Sequence, residues 1–206
     1  MSRVKICGIN SAAAMDAAVD AGADWIGFVF FPPSPRYVSP EQAAALSARH
    51  AGGPLRVGLF VDPTDAELEA TLATMPLDIL QLHATAARAA EIRARFGRPV
   101  WRAAGIANAA DLPVGTDGSD AMLLDALPPK DATRPGGNAA PFDWSVLAGW
   151  RPAFPWLLAG GLTPENVGEA IRMTGAPAVD VSSGVERAKG VKDPGLIRAF
   201  VAAAQG

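Results

Sequence analysis

The chain alternates, with few interruptions, between short runs rich in Val, Ile, Leu and Phe and longer Ala-rich stretches of helical character. RVKICGI at 3–9 reads as a strand, and SAAAMDAAVDAG at 11–22 as a helix with Ser11 as its N-cap. WIGFVFF (25–31) is a second strand, and SPEQAAALSARH (39–50) a capped helix with Pro40 at its first position. LRVGLFV (55–61) precedes a helix over 62–75, and LDILQLH (77–83) one over 85–97. PVWRAAG (99–105) is followed only by a short, weak helix near Asn108–Leu112. DAMLLDA (120–126) leads into LPPKDATRPGGNAAP (127–141), whose Pro and Gly content predicts a loop, and then into a short helix over FDWSVLAGW (142–150). The strand PWLLAGG (155–161), the helix TPENVGEAIRMTG (163–175) and the strand PAVDVSSG (177–184) come next. A short turn at Val185–Arg187 and a last helix over DPGLIRAFVAAAQ (193–205) complete the series.

Alternating βα units imply an α/β protein with parallel strands. Eight such units can close into a (β/α)₈ (TIM) barrel, and they fill residues 1–206 as a single catalytic domain; an open doubly wound sheet is the alternative. Barrels of this kind typically run to about 250 residues, so this one would have short loops. Composition narrows the partners. With 18 basic against 21 acidic residues, a formal charge of −3 and no basic run, nothing points to nucleic acid or to an anionic membrane surface. No stretch approaches the roughly 18 apolar residues of a membrane span, and MSRVKICGIN lacks the apolar core of a signal peptide. The one cysteine, Cys7, rules out an intramolecular disulfide, and the cytoplasm is the expected location.

In such a barrel the active groups lie at the C-terminal ends of the strands. Cys7 in the first strand, His83 ending the fourth and Asp125 near the end of the sixth satisfy this. Each also has a plainer reading: an inert core thiol, a hydrogen-bonded strand end and a turn former before Leu127–Pro128. Two glycine features add weight to function. Gly160–Gly161 ends the seventh strand, and Ser182–Ser183–Gly184 ends the eighth. Loops at these two places commonly bind phosphate, because glycines let backbone N–H groups approach an anion.

Taken in order, KICGI (5–9), GFVFFPPSPR (27–36), QLH (81–83), LLDA (123–126), LAGGLTPENV (158–167) and DVSSGVE with KGVKD (180–193) resemble the phosphoribosylanthranilate isomerase family over nearly the whole chain. The resemblance implies an Amadori rearrangement of a small-molecule substrate, N-(5′-phosphoribosyl)anthranilate, in tryptophan biosynthesis. It implies Cys7 as general base, Asp125 as general acid, and Arg36 as the partner of the anthranilate carboxylate. The phosphate cup falls on Gly160, Gly161, Ser183 and Gly184. Ala84 and Ala139 depart from glycines usual in the family, which puts the detail of those two loops in question.

The chemistry asks for an acid near the ring oxygen and a base near C2′, with no electron transfer, so no cofactor or metal is expected. Cys7 must spend time as thiolate, which favours an electropositive surrounding. Strand alternation puts Lys5 on the same face, where it either lowers the thiol pKa or sits as a paired interior lysine. His83 and Asp180 would face the barrel mouth as substrate-positioning groups, Gln81 reads as a satisfied interior amide, and Asp143 and Trp144 would start and pack the sixth helix. A metal-dependent epimerase would need more ligands than His50 and His83 offer. An indoleglycerol-phosphate synthase would carry an N-terminal extension and a lysine acid, and the histidine-pathway isomerase two aspartates. A non-catalytic phosphate-binding barrel would have no use for an acid–base pair. The oligomeric state, monomer or homodimer, is open.

Overall fold

The computed structural model describes residues 1–127 and 143–206. Its strands are β1 (Arg3–Cys7), β2 (Trp25–Val29), β3 (Leu55–Val61), β4 (Ile79–His83), β5 (Val100–Ile106), β6 (Ala121–Ala126), β7 (Trp156–Leu158) and β8 (Ala178–Val181), all parallel and closed in sequential order into a barrel. Pairing of Arg3 with Ala178 and of Lys5 with Asp180 seals β8 to β1. The helices on the outside are α1 (Ala12–Asp20), α2 (Pro40–Ser47), α3 (Asp65–Thr74), α4 (Ala86–Phe96), α5 (Val167–Thr174) and α6 (Pro194–Gln205). The (β/α)₈ barrel therefore stands, and the open sheet does not. Among the described residues no helix is long and apolar enough to cross a membrane.

Local chemistry explains most of the helix starts. Ser39 and Thr64 each close a capping box, with Gln42 and Glu67 returning a bond to the cap backbone, and Pro40 sits at the first turn of α2. Gly97 and Gly175 end α4 and α5 in the left-handed conformation. The weak fifth and sixth units carry only 3₁₀ turns among the described residues, Ala109–Asp111 and Trp144–Leu147. Asp143 caps the second of these through the Ser145 N–H, so its place at an element start is as expected but the element is a single turn. The loop expected over 128–141, with Ala139, and the start of the helix at Phe142 lie outside the described residues. The sequence placed the helix after β7 at residue 163; α5 begins four residues later, because Asn166 turns back on the loop. Its side chain accepts from Thr163 N (2.8 Å) and donates to Gly161 O (3.0 Å). After β8, the expected turn at 185–187 is instead a 3₁₀ turn, Ser183–Val185, followed by a small hairpin of β9 (Glu186–Ala188) and β10 (Val191–Lys192).

Strand alternation divides the apolar residues between two cores. Val4, Ile6, Ile26, Phe28, Leu80, Leu82, Met122 and Leu124 face the helices, with Phe200 of α6 among their neighbours in one cluster. Trp25, Val57, Ile79, Trp101, Ala121 and Leu157 fill the barrel floor, where Trp25 and Trp101 meet edge to face at 5.1 Å. Arg3 lies over the Trp25 ring at 3.8 Å and covers that end. The filled floor leaves the opposite, C-terminal end of the strands as the place for a cleft.

Candidate active site

That cleft is lined by residues one or two steps further along the same inward rows: Cys7 of β1, Val29 of β2, Leu59 and Val61 of β3, Gln81 and His83 of β4, Leu123 and Asp125 of β6, and Asp180 and Ser182 of and after β8. Arg36, Phe31 and Ser34 from the loop after β2 complete the wall. Of the residues singled out from the sequence, Cys7, Arg36, His83, Asp125 and Asp180 thus converge on one space. Gly160, Gly161, Ser183 and Gly184 sit in the two loops beside it.

Cys7 is buried next to the ammonium of Lys5 and the backbone of Gly27. A Cβ on Gly27 would stand 3.1 Å from both Cys7 Sγ and Lys5 Nζ, so only glycine leaves room there without displacing one of them. Lys5 is fully buried and donates to Asp180 Oδ1 at 2.7 Å. Burial acts to strip the Lys5 proton, but the charges of Asp180 and Cys7 outweigh it and hold the ammonium above its ordinary value. Burial also pushes the Cys7 thiol up, and Asp180 adds to this, against the pull of Lys5 and of Lys192. The expectation that Lys5 draws the thiol down is right in sign and insufficient in size: the sulfur has lost its water, and Lys5 is shared with Asp180. Lys5 is thus also the paired interior lysine of the plainer reading.

Asp125 Oδ1 accepts from the N–H of Ala126 at 2.8 Å. The side chain is half-buried, and a Cβ on Gly160 would come within 3.1 Å of that same oxygen. His83 is held neutral at pH 7, because burial and then the charge of Lys5 bring it down to about 4. It can donate or accept through a ring nitrogen but carries no charge of its own there.

The two glycine loops meet in close contact. A Cβ on Gly184 would overlap the carbonyl of Leu162, so glycine is what permits the loop after β8 to lie against the loop after β7. Among the described residues the N–H groups of Gly161, Ser183 and Gly184 make no hydrogen bond. Free N–H groups in two touching loops at a barrel mouth suit an anion with several oxygens.

The sequence reading missed two features of the site. Gln81 was expected to be a satisfied interior amide; it is 1% exposed, lines the cleft, and its Oε1 has no partner among the described residues. Its position two residues below His83 gave the face but not the lack of a neighbour. The other is Glu186, which accepts from Arg36 Nε and Nη2 at 2.6 and 3.0 Å. Only the DVSSGVE motif marked that position.

Fold and site together define a (β/α)₈ barrel with a buried thiol and a carboxylate at its strand ends and two closely packed glycine loops after β7 and β8. The family model for N-(5′-phosphoribosyl)anthranilate (PRA) isomerase matches residues 4–203. The chain is 59% identical to the N-(5′-phosphoribosyl)anthranilate isomerase of Paracoccus denitrificans, over 98% of this chain and 96% of that one. It is 57% identical to that of Granulibacter bethesdensis, over 98% of each. A solved structure of phosphoribosyl anthranilate isomerase in complex with reduced 1-(o-carboxyphenylamino)-1-deoxyribulose 5-phosphate superposes with a TM-score of 0.86 at 36% identity, covering 100% of both chains. The chain belongs to the N-(5′-phosphoribosyl)anthranilate isomerase family, and it is an isomerase of tryptophan biosynthesis.

Proposed function

We propose that the chain catalyses the Amadori rearrangement of N-(5′-phosphoribosyl)anthranilate to 1-(2-carboxyphenylamino)-1-deoxyribulose 5-phosphate, with Cys7 as general base and Asp125 as general acid. The observation that carries this reading is that both groups line one cleft together with Arg36, and that Gly160 packs against Asp125. Asp125 gives a proton to the furanose oxygen while the anthranilate nitrogen lone pair expels the C1′–O bond, forming a protonated Schiff base. Cys7, as thiolate, takes the C2′ proton, and the electron pair moves through C1′ to nitrogen to give an enolamine. Cys7 then returns its proton to C1′ as the C2′ hydroxyl gives its own to the Asp125 carboxylate, which leaves the C2′ ketone and restores both side chains. Every step is a proton transfer between substrate and side chain, and the oxidation of C2′ is balanced by reduction of C1′ in the same substrate, so the reading invokes no cofactor.

The remaining roles follow from charge and reach. The N–H groups of Gly161, Ser183 and Gly184 take the phosphate, Arg36 takes the anthranilate carboxylate, and His83 and Asp180 position the sugar. Burial keeps Cys7 protonated at rest; Lys5 and Lys192 supply the opposing field that the thiolate needs when substrate arrives. Freshly generated substrate, followed by fluorescence or chromatography because substrate and product are isomers, tests the assignment. Cys7→Ala and Asp125→Asn should each lower kcat by on the order of 10²–10⁴-fold while the reduced product analogue still binds. Wild-type turnover in either variant would sink that residue's role; no turnover by the folded wild type would sink the activity.

A further inference from the structure

Behind Arg36 lies a layer of charge that no substrate group is called on to touch. Its Nε and Nη2 donate side-on to Oε1 and Oε2 of Glu186, and both side chains are only 4% exposed. Glu186 is held in turn: Lys192 Nζ donates to Oε1 at 2.9 Å, and the backbone N–H of Gly190 to Oε2 at 3.0 Å. Lys192, also buried, donates to the backbone oxygen of Ser182 at 2.7 Å and to its Oγ at 3.2 Å. Glu186 opens β9 and Lys192 closes β10, so the small hairpin after β8 is the frame of this arrangement.

The guanidinium has five N–H groups, and the side-on pair is consumed. Nη1 makes no hydrogen bond with the described residues and is not sealed in the interior, while Arg36 lines the cleft. A guanidinium gripped side-on by one carboxylate keeps its Nη1/Nη2 end edge for a second. The charges also add up in a directed way. Arg36 and Glu186 alone would be a neutral pair with little pull on an anion; Lys192 leaves the group with one net positive charge. Structural need is a weak explanation for it, since buried ion groups of this sort are often no more stabilising than well-packed apolar side chains.

We propose that Glu186, backed by Lys192, is a positioning residue that fixes Arg36 side-on so that its end edge selects substrates bearing a carboxylate on the aromatic ring. This rests on the reading of Arg36 as the carboxylate partner. It assigns to the β9–β10 hairpin the selection of the anthranilate group, apart from the acid–base chemistry.

The test compares two stable ligands, the reduced Amadori product and its counterpart lacking the ring carboxylate. Each is titrated into wild type, Arg36→Ala, Glu186→Gln and the double variant Glu186→Gln/Lys192→Met. The double variant restores the net charge of the group, which keeps the experiment open if Glu186→Gln alone does not fold. Wild type should prefer the carboxylate-bearing ligand by about tenfold or more, equivalent to about 1.4 kcal/mol. Both Glu186 variants should lose most of that preference through weaker binding of the carboxylate-bearing ligand alone. In Glu186→Gln the KM for phosphoribosylanthranilate should rise far more than kcat falls. Preference kept in the Glu186 variants but lost in Arg36→Ala would overturn the role of Glu186 and leave that of Arg36. Equal weakening of both ligands would also overturn it, as the mark of a merely structural contact. Absence of any preference in wild type, or its survival in Arg36→Ala, would instead remove the reading of Arg36 on which the proposal stands.

Discussion

At Gly27 the spacing of single atoms sets what the site tolerates. Adding one methyl group there brings carbon to 3.1 Å from Cys7 Sγ, from Lys5 Nζ and from the Cys7 backbone at once. All three neighbours are buried, so any accommodation shifts the thiol or the ammonium beside it. Gly27→Ala should cost about 1–3 kcal/mol through overpacking and also reduce kcat by about tenfold or more, since misplacing a reacting group by a fraction of an ångström is costly. Steady-state kinetics beside a urea melt checks this, and a variant with wild-type kcat would show that the thiol has slack. His83 makes a different prediction, one of pH. Its folded value of about 4 lies below the ordinary 6.5, so below pH 6.5 the unfolded chain takes up a proton that the folded chain refuses. Stability should therefore fall from pH 6.5 towards 4, by about 1.4 kcal/mol per pH unit at most. Glu186, held at about 2 by Arg36 and Lys192 in spite of burial, loses its contribution only below 4.5. Urea midpoints between pH 7 and 5 should accordingly drop less in His83→Gln than in wild type; equal slopes would mean the ring is protonated in the fold.

Helices and hairpins show where local signals suffice. The box at Thr64 is made within four residues: Glu67 N donates to Thr64 Oγ1, and Glu67 Oε2 accepts from Thr64 N at 2.7 Å. Helix α3 buries only Leu68 and Thr71, so its start depends on the cap more than on packing. Thr64→Ala should cost about 1 kcal/mol, read as a lower urea midpoint with unchanged slope, and leave turnover intact. The same local logic gave the eight strands and the ends of most helices from sequence alone. It failed for the fifth and sixth units, where too few residues are available for helical periodicity to declare itself. It failed also for β9 and β10, three and two residues long, whose pairing is held by charges on Glu186 and Lys192 rather than by any apolar alternation.

For the molecule as a whole, closure of the barrel is what brings the site together. Lys5 and Asp180 lie 175 positions apart in the chain and meet only because β8 pairs with β1. The floor that supports them lies towards the other end of the strands. Trp101 sits in it, 6% exposed and edge-on to Trp25. Trp101→Ala should lower stability by about 3–5 kcal/mol through the cavity it leaves. Turnover measured well below the melting temperature should stay near wild type, because Trp101 is not among the residues that line the cleft. Loss of kcat without loss of stability would contradict this separation of floor from mouth.

By itself the sequence determined the number and order of the barrel strands, most helix starts and the identity of the rare reactive side chains at strand ends. These are properties of neighbours in the chain: periodicity, caps, and a thiol or carboxylate where a strand stops. Tertiary structure alone decided which of those groups have partners. Arg36 meets Glu186 across 150 positions, Lys5 is taken by Asp180, and Gln81 Oε1 is left without a partner among the described residues. The protonation of Cys7 and His83 is decided there too, because it depends on how much water closure removes and on which charges closure brings near, and neither quantity is written in the spacing of residues along the chain.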